Sequence, residues 1–189
     1  VYKKVIKINK KIVIMQCNTN YTADKKNFSF INLNVLKKYK KIFPKAILGL
    51  SDHTHGNETV LGAVTLGARV IEKHFTDDNS RIGPDHKFSM NPLTWKKMVI
   101  STRNLEKALG NGFKTVEKNE RETIVIQRRS IRVNENFRKG EKIKLKKVSF
   151  LRPCPTDALP PHMFNKYINK KIIRNIKKND YLRKSHYKK

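Results

Sequence analysis

Three short apolar runs, each followed by polar residues, organise the first two-thirds of the chain. They cover residues 11–17, 46–50 and 69–73. Between the last two, residues 57–67 are rich in Val, Leu, Ala and Gly, which predicts a short helix. A strand, a crossover helix and a second strand form a βαβ unit of about 30 residues, whose strands are parallel neighbours. The pattern therefore predicts a parallel sheet.

Two further helices complete this pattern. The first follows residues 11–17 and ends at Pro44, with apolar positions near helical period at Phe28, Ile31, Val35, Tyr39 and Ile42. The second begins with Asn91 as its cap and Pro92 in its first turn, and it ends at Gly110. Its predicted inner face consists of Trp95, Met98, Val99, Thr102, Leu105 and Leu109. Strand, loop and helix thus recur three times, which is typical of the α/β class.

A second module is predicted from about Lys118 onward. Residues 128–133 are predicted as a strand, and residues 138–143 as a turn that leads into another strand. Residues 177–182 repeat that signature, and each copy follows an Asn and an apolar residue. The sequence therefore predicts a small β module with an internal near-duplication. The proline-rich segment 152–161 is predicted to be a rigid surface loop between its halves.

The composition is strongly basic, with 43 Lys and Arg against 15 Asp and Glu and a formal net charge of +28. Such a charge favours a nucleic-acid-binding protein as one alternative. The lysines are scattered in pairs along the chain, however, and we find neither an aromatic stacking surface nor a basic stripe on one helix face. Abundant Asn and Ile indicate AT-rich coding. We therefore expect no nucleic-acid partner.

Cysteine usage and hydropathy exclude other classes. Cys17 and Cys154 lie far apart without metal-ligand spacing, so a disulfide scaffold is not expected. No apolar stretch approaches the roughly 20 residues of a membrane span, and no signal peptide is evident. We expect a cytoplasmic protein without a membrane partner. The chain begins with Val1 inside a polar, helix-like segment, which predicts that an amino-terminal portion is missing.

His53 and His74 are the strongest candidates for chemistry. They lie 21 residues apart, and each follows an apolar run. In the predicted sheet they stand at the carboxyl ends of adjacent strands, the edge at which α/β folds bind ligands. They either share one metal ion or serve separately as hydrogen-bonded residues at strand ends. Asp52 and Glu72 flank them and either orient the imidazoles or pair with nearby lysines.

The chain resembles the carboxyl-terminal part of the sialic acid synthase family, the N-acetylneuraminate synthases and their relatives. The matching segments are residues 16–21, 49–54, 66–68, 71–76, 83–86, 127–130, 139–141 and 151–153. The resemblance implies the carboxyl-terminal portion of a (β/α)8 TIM barrel, its last three βα units, over residues 1–117. It implies a small, mostly-β SAF (antifreeze-like, β-clip) domain over residues 118–189.

The resemblance also implies an activity. Members condense phosphoenolpyruvate with an N-acylated aminosugar, typically N-acetylmannosamine, to give N-acetylneuraminate and phosphate. C3 of the enol attacks the sugar aldehyde, water adds at C2, and the tetrahedral intermediate loses phosphate. The metal is Mn2+ or Mg2+. Legionaminate and pseudaminate synthases share these motifs and remain alternatives.

Residue roles follow from the same resemblance. His53 and His74 match the metal ligands, and Ser51 matches a residue that contacts phosphoenolpyruvate. Asp85 matches an acid that hydrogen-bonds the aminosugar, and Tyr21 matches an aromatic residue near that sugar. Thr19 lies where relatives often carry a small polar residue or Asn in the site. Arg152 matches an arginine of the SAF domain that reaches the N-acyl group in the partner subunit's site, which implies a domain-swapped homodimer. No role is assigned to the other histidines, namely His55, His86, His162 and His186.

A complete barrel takes about 250 residues, so this chain supplies about three of its eight units. The family's catalytic lysines and glutamate lie outside this sequence. We therefore expect a fragment that is inactive by itself. A carbohydrate-binding SAF module without catalysis is the remaining alternative.

Overall fold

The computed structural model describes residues 1–22 and 24–187, which divide into two compact units. The first unit is Val1–Phe113 and the second begins at Lys114. The sequence placed this boundary at Lys118. The two positions differ by four residues, and Lys114 in the intervening segment has its Nζ 4.0 Å from a carboxylate oxygen of Glu120.

The first unit contains the predicted parallel sheet. Its strands are β1 (Val13–Cys17), β2 (Ile47–Asp52) and β3 (Val70–Lys73), paired in the order β1-β2-β3. Gly49 of β2 is aligned with Met15 on one side and Val70 on the other. All three predicted strands are confirmed, with ends shifted by one or two residues.

Among the described residues of this unit, four α-helices accompany the sheet: α1 (Tyr2–Ile8), α2 (Val35–Ile42), α3 (Glu58–Thr65) and α4 (Pro92–Leu109). The single helix predicted after β1 is wrong, because a 3-10 turn (Lys25–Phe30) precedes α2. Between them Asn32 has a φ of 50°, a left-handed conformation that an α-helix does not accommodate.

Helix α4 begins and ends as predicted. The Asn91 side chain accepts a hydrogen bond from the Thr94 backbone N–H, and Gly110 follows the last turn with a φ of 58°. Its inner face is narrower than predicted: Met98 is buried, but Val99 and Leu109 are exposed. Val99 lies next to Met98 in sequence and is therefore rotated by about 100° around the helix axis.

The two faces of the sheet differ in burial. Leu48 and Leu50 point to the helices and are almost fully buried. Val13 and Ile47 lie on the opposite face, where 41% and 46% of their surface is exposed. Side chains alternate along a strand, so every second residue of β2 belongs to this open face. Parallel sheets normally have both faces covered.

The second unit is built around β4 (Ser130–Val133) and β5 (Val148–Leu151), which pair antiparallel, with the short helix α5 (Ile124–Gln127) before them. Strand β4 is confirmed within its predicted range, whereas β5 was missed. The strands predicted after the two turns are wrong, since those segments form isolated bridges only. The unit encloses its own core, whose largest buried side chains include Phe137, Ile176 and Leu182.

The predicted near-duplication corresponds to reciprocal pairing. Phe137 and Ile176, 39 positions apart, exchange both backbone hydrogen bonds at 2.9 Å. The Asn136 side chain accepts from the backbone N–H of Lys178, and the Asn175 side chain accepts from that of Lys139. The two copies therefore stabilise each other's turns.

The same equivalence holds at the turn residues that follow. Gly140 has a φ of 93°, and its counterpart Asn179 has a φ of 67°. Gly and Asn are the residues that adopt this left-handed region at the lowest cost.

Cys17 in the first unit is an exposed free thiol, and Cys154 in the second is a partly buried one. Burial raises the pKa of the Cys154 thiol. Within residues 1–22 and 24–187, no helix combines the length and the hydropathy that crossing a bilayer requires.

Candidate metal and substrate site

Three loops meet at the carboxyl edge of the parallel sheet, as the βαβ pattern predicts. The rings of His53 and His74 lie 5.0 Å apart between centroids. Tyr21, from the loop after β1, places its ring 4.2 Å from that of His53 and 5.5 Å from that of His74. The structure therefore brings the two histidines and the tyrosine into one aromatic cluster.

His53 is held by the loop that follows β1. The residue is 3% exposed, and its Nδ1 lies 2.7 Å from the backbone carbonyl oxygen of Asn18. A carbonyl oxygen only accepts hydrogen bonds, so we assign the ring proton to Nδ1. This tautomer leaves a lone pair on Nε2.

His74 has an equivalent arrangement with a carboxylate. Its Nδ1 lies 3.3 Å from Oδ2 of Asp85, which favours a proton on Nδ1 and a lone pair on Nε2. Histidines that bind metals usually engage their other ring nitrogen with a carbonyl or carboxylate oxygen. Both imidazoles meet this condition and therefore fit a divalent cation.

The described residues offer no larger ligand set. Among residues 1–22 and 24–187, no three or more His, Cys, Asp or Glu side chains gather as a group that could hold a metal. A cation at this edge would take two imidazoles from the described residues, and water or substrate would occupy its remaining positions.

The acidic neighbours of the histidines differ from each other. Asp52 does not point to the open edge but to the helix side of the sheet, where its carboxylate pairs with Lys73. Pairing with a lysine, one of the two roles that the sequence left open for Asp52, is therefore observed. Glu72 lies on the open face and is exposed.

The loop that carries Asp85 is fixed by side chains without a predicted role. The Asn79 side chain donates to the backbone carbonyl of His86 at 2.7 Å and accepts from the Asn91 side chain at 2.9 Å. The Thr76 hydroxyl lies 2.7 Å from Nδ1 of His86. His86 therefore serves to hold the loop that brings Asp85 to His74.

The other predicted substrate residues are less closely clustered. Ser51 is a partly buried residue of β2, aligned with Cys17 of β1 and Glu72 of β3 on the open face. Thr19 is exposed in the loop after β1. Arg152 belongs to the second unit, directly after β5, where it is exposed and makes no ion pair or side-chain hydrogen bond with the residues described.

Sequence reasoning missed two contributors to this site. Phe88 is 2% exposed, and its ring centroid lies 5.1 Å from that of His74 and 6.2 Å from that of His53. Asn18 contributes only a backbone carbonyl to His53. An apolar residue in an otherwise polar loop is a signal for Phe88, but a backbone contact leaves no trace in the sequence.

Comparison with known proteins places this chain in a family. Residues 3–114 match the model of the NeuB family. The chain is 35% identical over 172 residues to the N,N'-diacetyllegionaminic acid synthase of Campylobacter jejuni, which covers 91% of this chain and 50% of that protein. It is 32% identical over 179 residues to the pseudaminic acid synthase of the same species, with coverages of 95% and 50%.

A solved structure gives a consistent result. The spore coat polysaccharide biosynthesis protein SpsE of Bacillus subtilis superimposes with a TM-score of 0.50 at 30% identity, covering 98% of this chain and 55% of that one. The chain thus spans about half the length of these relatives. The family match ends near the boundary between the two units.

Proposed function

The chain belongs to the NeuB family, and on that premise we propose that it forms part of a nonulosonic acid synthase. The reaction joins phosphoenolpyruvate, an N-acylated aminosugar such as N-acetylmannosamine, and water to give N-acetylneuraminate and inorganic phosphate. The observation that carries this proposal is the pair of imidazoles 5.0 Å apart at the carboxyl edge of the sheet, each with Nε2 available.

His53 and His74 would hold the divalent cation. When bound, it supplies Lewis acidity for the aldehyde oxygen of the sugar. Manganese accepts imidazole more readily than magnesium, which prefers oxygen ligands, so the donor set favours Mn2+.

Three further residues are proposed to bind the substrates. Asp85, whose side chain is 46% exposed beside His74, accepts hydrogen bonds from sugar hydroxyls. Tyr21, which is 49% exposed, packs against the sugar, and Thr19 in the same loop contacts the same substrate. Ser51 donates a hydrogen bond to phosphoenolpyruvate, whose C3 attacks the aldehyde carbon of the sugar.

We further propose that this chain works as the last three βα units of a TIM barrel followed by an SAF domain. The exposed apolar residues Val13 and Ile47 on the open sheet face support the need for further barrel units. The exposed guanidinium of Arg152 supports a role in the partner subunit's site of a domain-swapped homodimer. A cytoplasmic location belongs to the same proposal.

The comparisons favour two other aminosugars as alternative substrates. The two relatives described above are synthases of N,N'-diacetyllegionaminic and pseudaminic acid. The aminosugar precursors of these two acids are therefore the alternatives to N-acetylmannosamine.

The test uses this chain alone and a chimera in which the amino-terminal half of the Campylobacter legionaminic acid synthase precedes it. Each is incubated with Mn2+, phosphoenolpyruvate and one of the three aminosugars. Phosphate release is measured together with the mass of the nonulosonic acid. We expect turnover by the chimera and none by the chain alone.

A matched pair of variants identifies the source of that turnover. His74→Ala in the chimera is expected to abolish Mn2+-dependent turnover, whereas His162→Ala, at an exposed histidine of the second unit, leaves it unchanged. Full activity of the His74→Ala chimera at saturating Mn2+ would contradict the metal assignment. Sugar binding without any turnover would favour the non-catalytic carbohydrate-binding alternative.

A further inference from the structure

A buried ion pair joins the ends of β2 and β3 behind the two histidines. Lys73 Nζ lies 2.5 Å from Oδ2 of Asp52, and the two side chains are 1% and 0% exposed. The same ammonium group donates to the backbone carbonyl of Thr54 at 2.7 Å. Asp52 directly precedes His53, and Lys73 directly precedes His74.

The carboxylate of Asp52 also fixes the turn that contains His53. Its Oδ1 accepts hydrogen bonds from the backbone N–H of Thr54 at 3.1 Å and from the Thr54 hydroxyl at 2.9 Å. Its Oδ2 accepts from the hydroxyl of Thr59, in the first turn of α3, at 2.6 Å. The network therefore connects the end of β2, the following turn, the start of α3 and the end of β3.

Alternation along the strands links this network to the site. Side chains of successive strand residues point to opposite faces. With Asp52 and Lys73 directed to the helix side, the residues that follow them are directed away from it, and there the imidazoles meet. Because the ion pair joins the two strand ends directly, it also limits how far His53 and His74 can separate.

We infer that Asp52 and Lys73 are positioning residues, and that their ion pair sets the relative placement of His53 and His74. Stability alone does not explain such a pair, because replacing a buried ion pair by apolar residues is often neutral or stabilising. Groups that orient metal ligands are worth about 10- to 100-fold in metal affinity. The metal part of this inference rests on the proposed function, whereas the placement of the rings does not.

The test compares a double variant with a control that has similar burial but lies outside the network. Asp52→Leu/Lys73→Met replaces both charges by apolar side chains and leaves no unpaired charge. Val60→Ala removes volume at a residue that is 1% exposed in α3. Thermal unfolding midpoints establish that both variants fold.

Two readouts then follow the site. Nuclear Overhauser contacts among the rings of Tyr21, His53 and His74 report their placement without any metal, and electron paramagnetic resonance of free Mn2+ reports affinity. We expect the double variant to lose ring contacts and to bind Mn2+ about 10- to 100-fold more weakly. We expect Val60→Ala to keep the contacts and to bind within about two-fold of the parent.

The outcomes separate this inference from the proposed function. Parent-like ring contacts in the folded double variant would overturn the positioning role, as would an equal loss of contacts in Val60→Ala. Loss of ring contacts in the double variant but not in Val60→Ala supports the positioning role, whether or not the parent binds Mn2+. Absence of Mn2+ binding by the parent would count against the proposed metal site only. If the double variant does not fold, the same two readouts are made on Asp52→Asn, which keeps the shape of the side chain. The same criteria then decide whether the ion pair positions the rings.

Discussion

The two units of this chain bury their apolar residues in different ways. In the second unit, Phe137, Ile176 and Leu182 are enclosed by a core within which the two sequence repeats pair with each other. In the first unit, Leu48 is covered by helices while its neighbour Ile47 is 46% exposed on the open sheet face. The second unit, which contains the sequence repeat, thus has a closed core. The first unit, which contains the candidate site, has an exposed sheet face.

Polar residues differ between the units in the same way. In the second unit, asparagine side chains bind backbone groups of turns. In the first, the Asp52–Lys73 pair is buried behind two histidines whose rings meet edge to face at the sheet edge. Asparagine side chains thus stabilise turns in the second unit, whereas in the first unit we propose that a buried ion pair positions the candidate site.

The largest expected effect tests whether the second unit's core is self-contained. Phe137→Ala removes a ring that is 2% exposed, so we expect a loss of about 3–5 kcal/mol in the free energy of unfolding of that unit. Urea unfolding followed by NMR signals of each unit measures it. Leu145→Ala, at a side chain that is 56% exposed, is the control and should change the free energy by less than about 0.5 kcal/mol. An equal loss in the first unit would contradict the separation of the two cores.

Adjacent residues test the difference between the two sheet faces. Leu48→Ala removes a side chain from the helix-side core and should cost about 2–4 kcal/mol. Ile47→Ala, on the open face, should cost less than about 1 kcal/mol because that side chain is already half exposed. Urea unfolding of the two variants under identical conditions gives the comparison. Equal losses would show that the open face is covered in solution.

The repeated turns of the second unit provide a smaller test. Gly140→Ala places a Cβ on a residue with a φ of 93° and should cost about 1–2 kcal/mol. Asn179→Gly, at the equivalent position, should change the free energy by a few tenths of a kcal/mol, because Gly adopts a φ of 67° without strain. Thermal unfolding of both variants measures the difference. A large loss for Asn179→Gly would indicate that its side chain, not its backbone, matters.

The smallest expected effect is a pH dependence of the stability of the second unit alone. Burial, and after it the charge of Arg183, lowers the pKa of His186 below its usual value of 6.5. The folded state therefore favours the neutral imidazole. The contribution of this imidazole to the free energy of unfolding is fully present above about pH 6.5 and declines as the pH falls further. Urea unfolding at pH 7.5 and pH 5.5 should show a less stable second unit at the lower pH, and His186→Gln should reduce that difference. An unchanged difference in the variant would assign the dependence to other groups.

Much of the first unit could be predicted because its apolar runs end sharply in polar residues. The break at Asn32 could not, since its left-handed φ replaces a helix that the apolar spacing favours. Strand β5 was missed because Lys146 and Lys147 stand directly before it and mask its short apolar pattern.

The candidate site was predictable only in part. The histidines were found from their positions after two apolar runs, and parallel strands then required them to be neighbours. Lys73 was not recognised, because a lysine in a chain with 43 Lys and Arg resembles any other surface lysine. Its burial depends on strand alternation and on Asp52, which become evident only once the register between β2 and β3 is known.

The central claim is that His53 and His74 bind one divalent cation, and pulsed electron paramagnetic resonance of bound Mn2+ tests it most directly. We predict nitrogen couplings from two imidazoles in the parent chain and from one in either His53→Ala or His74→Ala, with His162→Ala unchanged. A parent that shows no imidazole coupling at saturating Mn2+, or couplings that persist unchanged in both single variants, would contradict the claim.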